Sequence, residues 1–445
     1  MKSNFSRRRF LQTGAFATAG AIAAKTILLD SPVYAAEGAD MVRFGVIGVG
    51  MQGSPLLNSA IHLPGTQCVA CCDVYDGRHT LAKEIAGPNI RTTRRYQDLL
   101  DAKDIQALIV AVPDHWHKQI VVDAANAGKD VYVEKPMSHS LQDGLDMVAA
   151  QKKTNRIIQV GSQRTSSSLL AKVKEQLDKK AIGDLLSVEL SLGRNDPTGA
   201  WQYPPPYDLS PQNLDWETWL GPAPKKAFDP LAFARWRCWK EYGTGVAGDL
   251  MVHLISGMQF VTGINQVPDR AYATGGIVRW PDGRNLPDLH VATFDYGKIP
   301  VYVRLTLGTE TPEMMRLMGN RGLIEVSENA FTLNTQTGVD EYPSYYATNS
   351  FPQAMREEYM KKWEAEHTPK PGQEKLRETV TYRSTSYDDL PPHLWNFFQA
   401  VRSRKPVLQD AVFGHHAAAA CHMANESWAR KAPVVWDASA NKLKS

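Results

Sequence analysis

Cysteine is scarce: Cys68, Cys71, Cys72, Cys238 and Cys421 are the five in 445 residues. An odd number, three of them crowded into one apolar run, implies no disulfide framework. Cys68 and Cys71 have CxxC spacing, but no second pair follows and the alternation of a strand would turn them to opposite faces. They read as small buried hydrophobes. Surplus charge is scarce as well: 50 Lys and Arg against 47 Asp and Glu leave +3, which excludes an electrostatic grip on nucleic acid. The apolar run at residues 13–24 falls well short of the ~20 residues that span a bilayer, so no stable membrane anchor is expected. Repeats and low-complexity tracts are missing too. What is present, 43% hydrophobic and 22% charged residues, suits a folded chain long enough for two domains.

The positive excess is concentrated at one end. Lys2, Arg7, Arg8, Arg9 and Lys25 stand against Asp30 in the first 35 residues, so the remainder is almost neutral. Ser6-Arg7-Arg8-Arg9-Phe10-Leu11-Gln12 ahead of a short apolar run and Val33-Tyr34-Ala35-Ala36 resembles a twin-arginine leader cleaved after Ala35. The resemblance implies export of a folded protein to the periplasm.

From residue 42 the pattern is strand (42–47), Gly48-Val49-Gly50-Met51-Gln52-Gly53, then helix (54–62). This is the order a dinucleotide site needs. Gly48 permits the tight turn, Gly50 lets a pyrophosphate approach the backbone, and Gly53 lets helix and strand pack closely. A second strand (67–72) ends in Asp73, 20 residues beyond Gly53, where a carboxylate reaches the ribose hydroxyls. That spacing favours NAD over NADP, although Arg78 could fold back and soften the repulsion of a 2′-phosphate. Strands at 107–112, 130–133 and 157–160 alternate with helices at 118–127 and 141–152, so residues 42–162 predict a parallel sheet with helices on both faces. Ligands bind beyond the carboxyl ends of such strands, where Pro113, Asp114, His115, His117, Glu134 and Lys135 fall. His115 and His117, or His415 and His416, lack the further oriented ligands a metal needs, and no metal site is expected.

Several short motifs together resemble the Gfo/Idh/MocA family of sugar and polyol oxidoreductases: Val112-Pro113, His117, Ala127-Gly128-Lys129-Asp130-Val131, Glu134-Lys135-Pro136, Val160-Gly161-Ser162-Gln163-Arg164, and the block from Gly243 to His253. The likeness runs from Arg43 to about Asp437. It implies an α/β chain: an N-terminal Rossmann domain, then an α+β domain with an open, mainly antiparallel sheet. It also implies roles for the residues. Gly48, Gly50, Met51, Gln52, Gly53, Asp73, Arg78, Pro113, His117, Glu134 and Lys135 would hold the NAD. His253 would handle the hydroxyl proton, Lys135 would hydrogen-bond the reacting oxygen, and Asp249 would orient His253 or hold a neighbouring hydroxyl. By helical spacing, Asp249, His253 and Ser256 share one face, apart from an apolar stripe of Met251, Leu254, Ile255 and Met258.

In the second half, residues 163–390, strands are expected at 186–192, 271–280, 289–296, 301–307 and 322–326. An aromatic, proline-rich loop at 201–239 offers tryptophan and tyrosine faces for sugar stacking and Arg235 and Arg237 for hydroxyls or a carboxylate. Gln163, Arg164, Arg235 and Trp239 complete the expected substrate-binding set. Polar residues 336–389 read as an insertion, and 391–437 as C-terminal helices returning to the first domain. The resemblance implies a small-molecule carbohydrate partner and a homo-oligomer. Export adds a constraint, since a dissociable NAD could not be replenished in the periplasm. The expectation is a tightly held cofactor restored in each turnover, either by paired oxidation and reduction, as in glucose-fructose oxidoreductases, or by transient oxidation of a glycoside, elimination, hydration and reduction, as in NAD-dependent glycosidases. Lys135 favours the first, because those glycosidases typically lack that lysine.

Overall fold

The computed structural model describes residues 23–29, 40–336, 346–367, 378–385 and 389–444. The arginine motif at 6–12 and the expected cleavage site at 33–36 lie outside them, as do parts of the 336–389 segment. Within the leader as read from sequence, Ala23–Leu29 forms strand β1, which pairs in parallel with a strand near the C-terminus.

Residues 42–160 build a six-stranded, wholly parallel sheet of β2 (Val42–Ile47), β3 (Thr66–Cys72), β4 (Arg91–Thr93), β5 (Ala107–Val110), β6 (Asp130–Val133) and β7 (Ile158–Val160). The spatial order is β4-β3-β2-β5-β6-β7. β5 and β6 are buried at every position, as a sheet covered on both faces requires. The order reverses between β2 and β5, and that switch point opens the crevice for a ligand.

One expectation fails in β3. Its register against β2 slips between Phe44 and Gly45, leaving Val69 as an extra residue. The bulge reverses the alternation, so Cys68 and Cys71 lie on one face with their sulfurs 3.9 Å apart instead of on opposite faces.

The second sheet has eleven strands: β8 (Leu185–Gly193), β9 (Arg270–Gly276), β10 (Leu289–Tyr296), β11 (Ile299–Thr306), β12 (Thr311–Gly319), β13 (Gly322–Val326), β14 (Ala330–Thr335), β15 (Glu378–Ser384), β16 (Val434–Asp437) and β17 (Lys442–Leu443) join β1. Pairing is antiparallel except at β1–β15 and β8–β11. The segment read as an insertion therefore returns β15 to the main sheet, and between β14 and β15 it carries the helix Gln353–His367. One face of this sheet packs on the helices Val252–Thr262 and Ala411–Arg430. On the other, Val291 and Tyr302 are exposed.

The helix Leu390–Ser403 docks back on the first domain: Phe398 meets Phe44 with ring centroids 5.2 Å apart, and Phe397 meets Tyr132 at 5.8 Å. Alanine-rich Ala411–Arg430, capped by Asp410 on the Phe413 N–H, fills the seam between the domains.

Candidate active site

The dinucleotide cradle follows directly from β2. Beyond Ile47 the chain turns at Gly48, whose φ of +88° suits glycine. The next helix starts at Gly53, where an added Cβ would lie 1.8 Å from Gly48 O. Above Gly50 an added Cβ would meet the Arg78 guanidinium at 3.2 Å. At the end of β3, Asp73 is buried, and its carboxylate accepts from Val49 N at 2.9 Å and Tyr75 N at 3.1 Å. Arg78 Nη1 lies 3.3 Å from Asp73 Oδ2, with its guanidinium 4.7 Å from the Phe233 ring centroid. The residues fit an NAD: a glycine turn with the Arg78 guanidinium beside it for the phosphates, and a buried carboxylate where the ribose hydroxyls come.

Two adjoining hollows continue the cradle. The first, of about 530 Å³, has Asp73, Arg78, Tyr96, Trp116 and Trp219 in its walls and lies on the adenosine side. A second, of about 700 Å³, runs from Gly50, Met51 and Gln52 to Lys135 and Arg237. Met51 is exposed at the rim, and Pro113 lines both hollows.

At the far end stand the reacting groups. Lys135 follows β6, and the turn Ala247–Met251 carries Asp249 ahead of the helix with His253. That turn is a π-helix, not the regular α-helix expected from spacing, and such turns recur at functional sites. Gly248 allows it to press inward, since an added Cβ would strike Thr244 Oγ1 at 1.7 Å. Lys135 Nζ donates to Asp249 Oδ1 at 2.8 Å and to Asp249 O at 3.1 Å, and Arg237 Nε donates to the same Oδ1 at 3.1 Å. Among the described residues Oδ2 has no donor. Burial raises the Asp249 carboxyl pKa, but Lys135 and Arg237 overcome it and hold the group well below the usual carboxylate range. His253 is pushed down to about 3, first by burial and then by the charge of Lys135, with Asp249 opposing. The ring is therefore neutral at ordinary pH.

The other predicted residues divide. Glu134 is buried, its Oε1 accepting from Gln163 at 2.7 Å and Gln52 at 3.3 Å, and burial raises its pKa. Gln163 thus braces the end of β6 and also meets Tyr132 Oη at 3.0 Å. The ring nitrogens of His117 lie 2.9 Å from the carbonyls of Pro136 and Val112, tying together the two loops beneath the nicotinamide end. Arg164 pairs with Glu313 at 3.1 Å and Asp389 at 3.8 Å. Arg235 and Trp239, expected on substrate, are engaged by the protein itself: Arg235 donates within its own loop to Tyr203 O at 3.0 Å and Gln202 Oε1 at 2.7 Å, and Trp239 donates to Gly283 O at 3.1 Å in the connection between β9 and β10. The site takes Arg237 instead.

Most of the aromatic loop is also placed differently from the sugar-stacking expectation. Trp201 is buried in the core of the large sheet. Trp216 and Trp219 stack at 4.8 Å and pack with Tyr75, Phe233 and Tyr242. Around them the loop is fastened to the first domain: Asp76 N donates to Asn213 O at 2.9 Å, Asp215 N to Val74 O at 3.0 Å, and Trp116 Nε1 to Trp219 O at 2.9 Å. It roofs the adenosine side. Sequence reasoning did not find Thr218, Trp219 and Trp116 as cofactor-side residues, and no local pattern marks them.

Residues 42–162 match the family described as oxidoreductase family, NAD-binding Rossmann fold, and residues 201–270 its C-terminal alpha/beta domain. Residues 42–162 are thus an NAD-binding Rossmann domain of the Gfo/Idh/MocA oxidoreductase type, and residues 201–270 are similar to the C-terminal domain that accompanies it. It is 30% identical over 149 residues to an inositol 2-dehydrogenase of Salmonella typhimurium, covering 33% of this chain and 44% of that protein. To a glycosyl hydrolase family 109 protein of Shewanella baltica it is 28% identical over 178 residues, covering 34% and 38%. The aligned part thus spans less than half the length of these curated relatives. Among solved structures, a levoglucosan dehydrogenase complexed with NADH and levoglucosan superposes with a TM-score of 0.64 at 18% identity, over 89% of this chain and 99% of the other. The WlbA dehydrogenase of Bordetella pertussis, in complex with NADH and UDP-GlcNAcA, gives 0.64 at 17% identity over 89% and 98%. Both share the fold.

Proposed function

We propose that this chain is an NAD-dependent oxidoreductase acting on a hydroxyl of a sugar, polyol or glycoside, with its NAD held throughout the cycle. The observation that carries the reading is the meeting of Lys135 from the first domain with Asp249 of the second at 2.8 Å, at the mouth of the dinucleotide cleft. When bound, NAD supplies a hydride acceptor. The protein supplies the rest. Lys135 Nζ, fixed by Asp249, donates to the oxygen of the reacting carbon and polarises it. The neutral His253 ring takes the hydroxyl proton as the C–H bond breaks and returns it on reduction. Asp249 Oδ2 accepts a neighbouring hydroxyl and orients the ring. Oxidoreductase relatives with polyol and sugar substrates in their names agree with this reading.

Retention of the cofactor is supported by the roof of Trp219 and Trp116 over the adenosine side. It suits export by the leader at residues 6–12 to the periplasm, where closed-cycle chemistry needs no free NAD. Self-association through the exposed sheet face around Tyr272, Val291 and Tyr302 belongs to the same proposal. A second reading, glycoside cleavage by transient oxidation, is favoured by the glycosyl hydrolase family 109 relative. Incubation with aryl glycosides and no added NAD separates the two: catalytic release of free aglycone supports the hydrolase, and sugar oxidised without cleavage, limited to one equivalent per bound NAD until a second carbonyl compound is supplied as acceptor, supports the dehydrogenase. For either chemistry, His253→Ala should lower kcat by ~10²-fold or more while bound nicotinamide, measured after denaturation, stays near one per chain. Full turnover by that variant would remove His253 from the mechanism.

A further inference from the structure

Behind the Lys135–Asp249 pair lies a second polar contact between the domains. Asp114, the first residue of the helix Asp114–Asn126 that follows β5, is buried, and its Oδ2 accepts from Thr244 Oγ1 at 2.7 Å. Thr244, 130 positions further along the chain, is buried as well. A carboxylate out of water needs a donor, and among the described residues no other donor reaches this one. No step of the chemistry at Lys135 and His253 uses either residue.

Each end of this bond bears on one half of the reacting site. The Thr244 side chain stands in the space Gly248 leaves: an added Cβ there would lie 1.7 Å from Thr244 Oγ1, 2.3 Å from its Cβ and 3.2 Å from Pro136 Cγ. Thr244 therefore seats the π turn that carries Asp249. Its carbonyl accepts from Gly248 N at 3.3 Å and from Asn425 Nδ2 at 2.9 Å, so the seam helix Ala411–Arg430 holds its backbone while Asp114 holds its hydroxyl. On the other side, Asp114 and His117 stand at i and i+3 in the same helical turn. The His117 ring lies 2.9 Å from the carbonyl of Pro136, the residue after Lys135. One turn of helix thus grips the Lys135–Pro136 segment through His117 and the π turn through Asp114 and Thr244. Lys135 could not set that alignment alone, because its long flexible stem can follow a carboxylate that shifts. Short buried side chains packed against a glycine cannot.

We infer that Asp114 and Thr244 are positioning residues, whose hydrogen bond across the domain boundary seats the π turn so that Asp249 and His253 stand in register with Lys135. The inference rests on the site assigned in the oxidoreductase reading and adds what holds its two halves in line.

The test uses NAD-loaded protein, with thermal midpoints checked for intact folding. Thr244→Ala removes the hydroxyl and Thr244→Ser keeps it. Two readouts need no substrate. Hydrogen exchange in peptides covering residues 246–253 should be ~10-fold or more faster in Thr244→Ala, the scale on which a buried group left without its partner is felt. Acetylation of Lys135 by acetic anhydride, read by mass spectrometry, should also quicken as the Asp249 carboxylate withdraws. Thr244→Ser should return both to the parent rates. Asp114→Ala approaches the same bond from the other side and serves if Thr244→Ala does not fold. The double variant should change no more than either single one, since one bond is lost in each.

A third readout is the first-turnover reduction of bound NAD by a panel of 4-nitrophenyl glycosides. Its limiting rate should fall ~10-fold or more in Thr244→Ala while the half-saturating concentration moves far less, because displacement of a reacting group is felt in the rate. Parent rates of exchange in both alanine variants would overturn the inference. Faster exchange with Lys135 labelling and the limiting rate unchanged would make the bond structural only, and would overturn it too. If no glycoside reduces NAD even in the parent protein, the oxidoreductase reading loses support, while exchange and labelling still decide the inference.

Discussion

Lys135 and Asp249, 114 positions apart in the chain, meet at 2.8 Å across the boundary between the two domains, with side chains only 12% and 14% exposed. This contact does two jobs. It presents the lysine ammonium to the cleft, and it locks the π turn of the second domain onto the end of β6 in the first. Arg237, on the same carboxylate oxygen, depends on it as well.

Replacing Asp249 with Asn therefore acts on stability and on chemistry. Lys135 and Arg237 would face each other without their shared anion, and breaking a largely buried pair from one side costs about 3 kcal/mol. Denaturant unfolding should show a loss of that order, together with a large fall in kcat. An unchanged midpoint would mean that the pair contributes nothing to domain docking.

Acid sensitivity follows from the buried histidines. Burial is the largest cause that lowers His115, His290, His393 and His415 to about 4, and His253 and His422 to about 3. A depressed histidine contributes stability that is fully present above its unfolded value near 6.5 and is lost as pH falls toward the folded value, because the unfolded chain takes up protons the folded chain refuses. The thermal midpoint should thus be level in these groups above pH 6.5 and decline steadily from pH 6.5 to 4. His290, fully buried and among the described residues without a partner on either ring nitrogen, is the clearest contributor. His290→Phe should flatten the slope by about one proton, and a slope unaltered by that change would remove it from the account.

Cofactor choice turns on Asp73. Its carboxylate anchors Val49 N, Tyr75 N and Arg78. Asp73→Ser would remove the negative charge beside the ribose and free the Arg78 guanidinium for a 2′-phosphate. The ratio of NADP to NAD affinity should rise by ~10-fold or more, the scale of one charged hydrogen bond. An unchanged ratio would place the discrimination elsewhere.

Retention of NAD turns on the roof. Trp219 stacks on Trp216, contacts Tyr242 and accepts the Trp116 indole N–H on its carbonyl. Trp219→Ala opens that wall of the adenosine hollow. Gel filtration of the variant should strip nicotinamide that the parent chain retains. Equal retention would count against the roof as the clamp.

Much of the first domain was legible in the sequence because its signals are local. Strand, three spaced glycines, helix and a carboxylate 20 residues on are neighbours in the chain, and the backbone physics of a phosphate turn leaves few other readings. The bulge at Val69 was not legible, since β3 alone carries no mark of an extra residue and the slip exists only against β2. Helical spacing placed Asp249 and His253 together, yet it does not reveal the wider π turn at 247–251 or the close approach of Thr244 to Gly248 within it.

The same division holds for the whole chain. The sequence by itself determined the dinucleotide turn, Asp73, and the side chains at the ends of β5 and β6, because each depends on contacts within a few tens of residues. Only the tertiary structure decided which arginine serves the site. Arg235 and Arg237 are two positions apart on one loop, and packing engages the first with Gln202 and Tyr203 while bringing the second to Asp249.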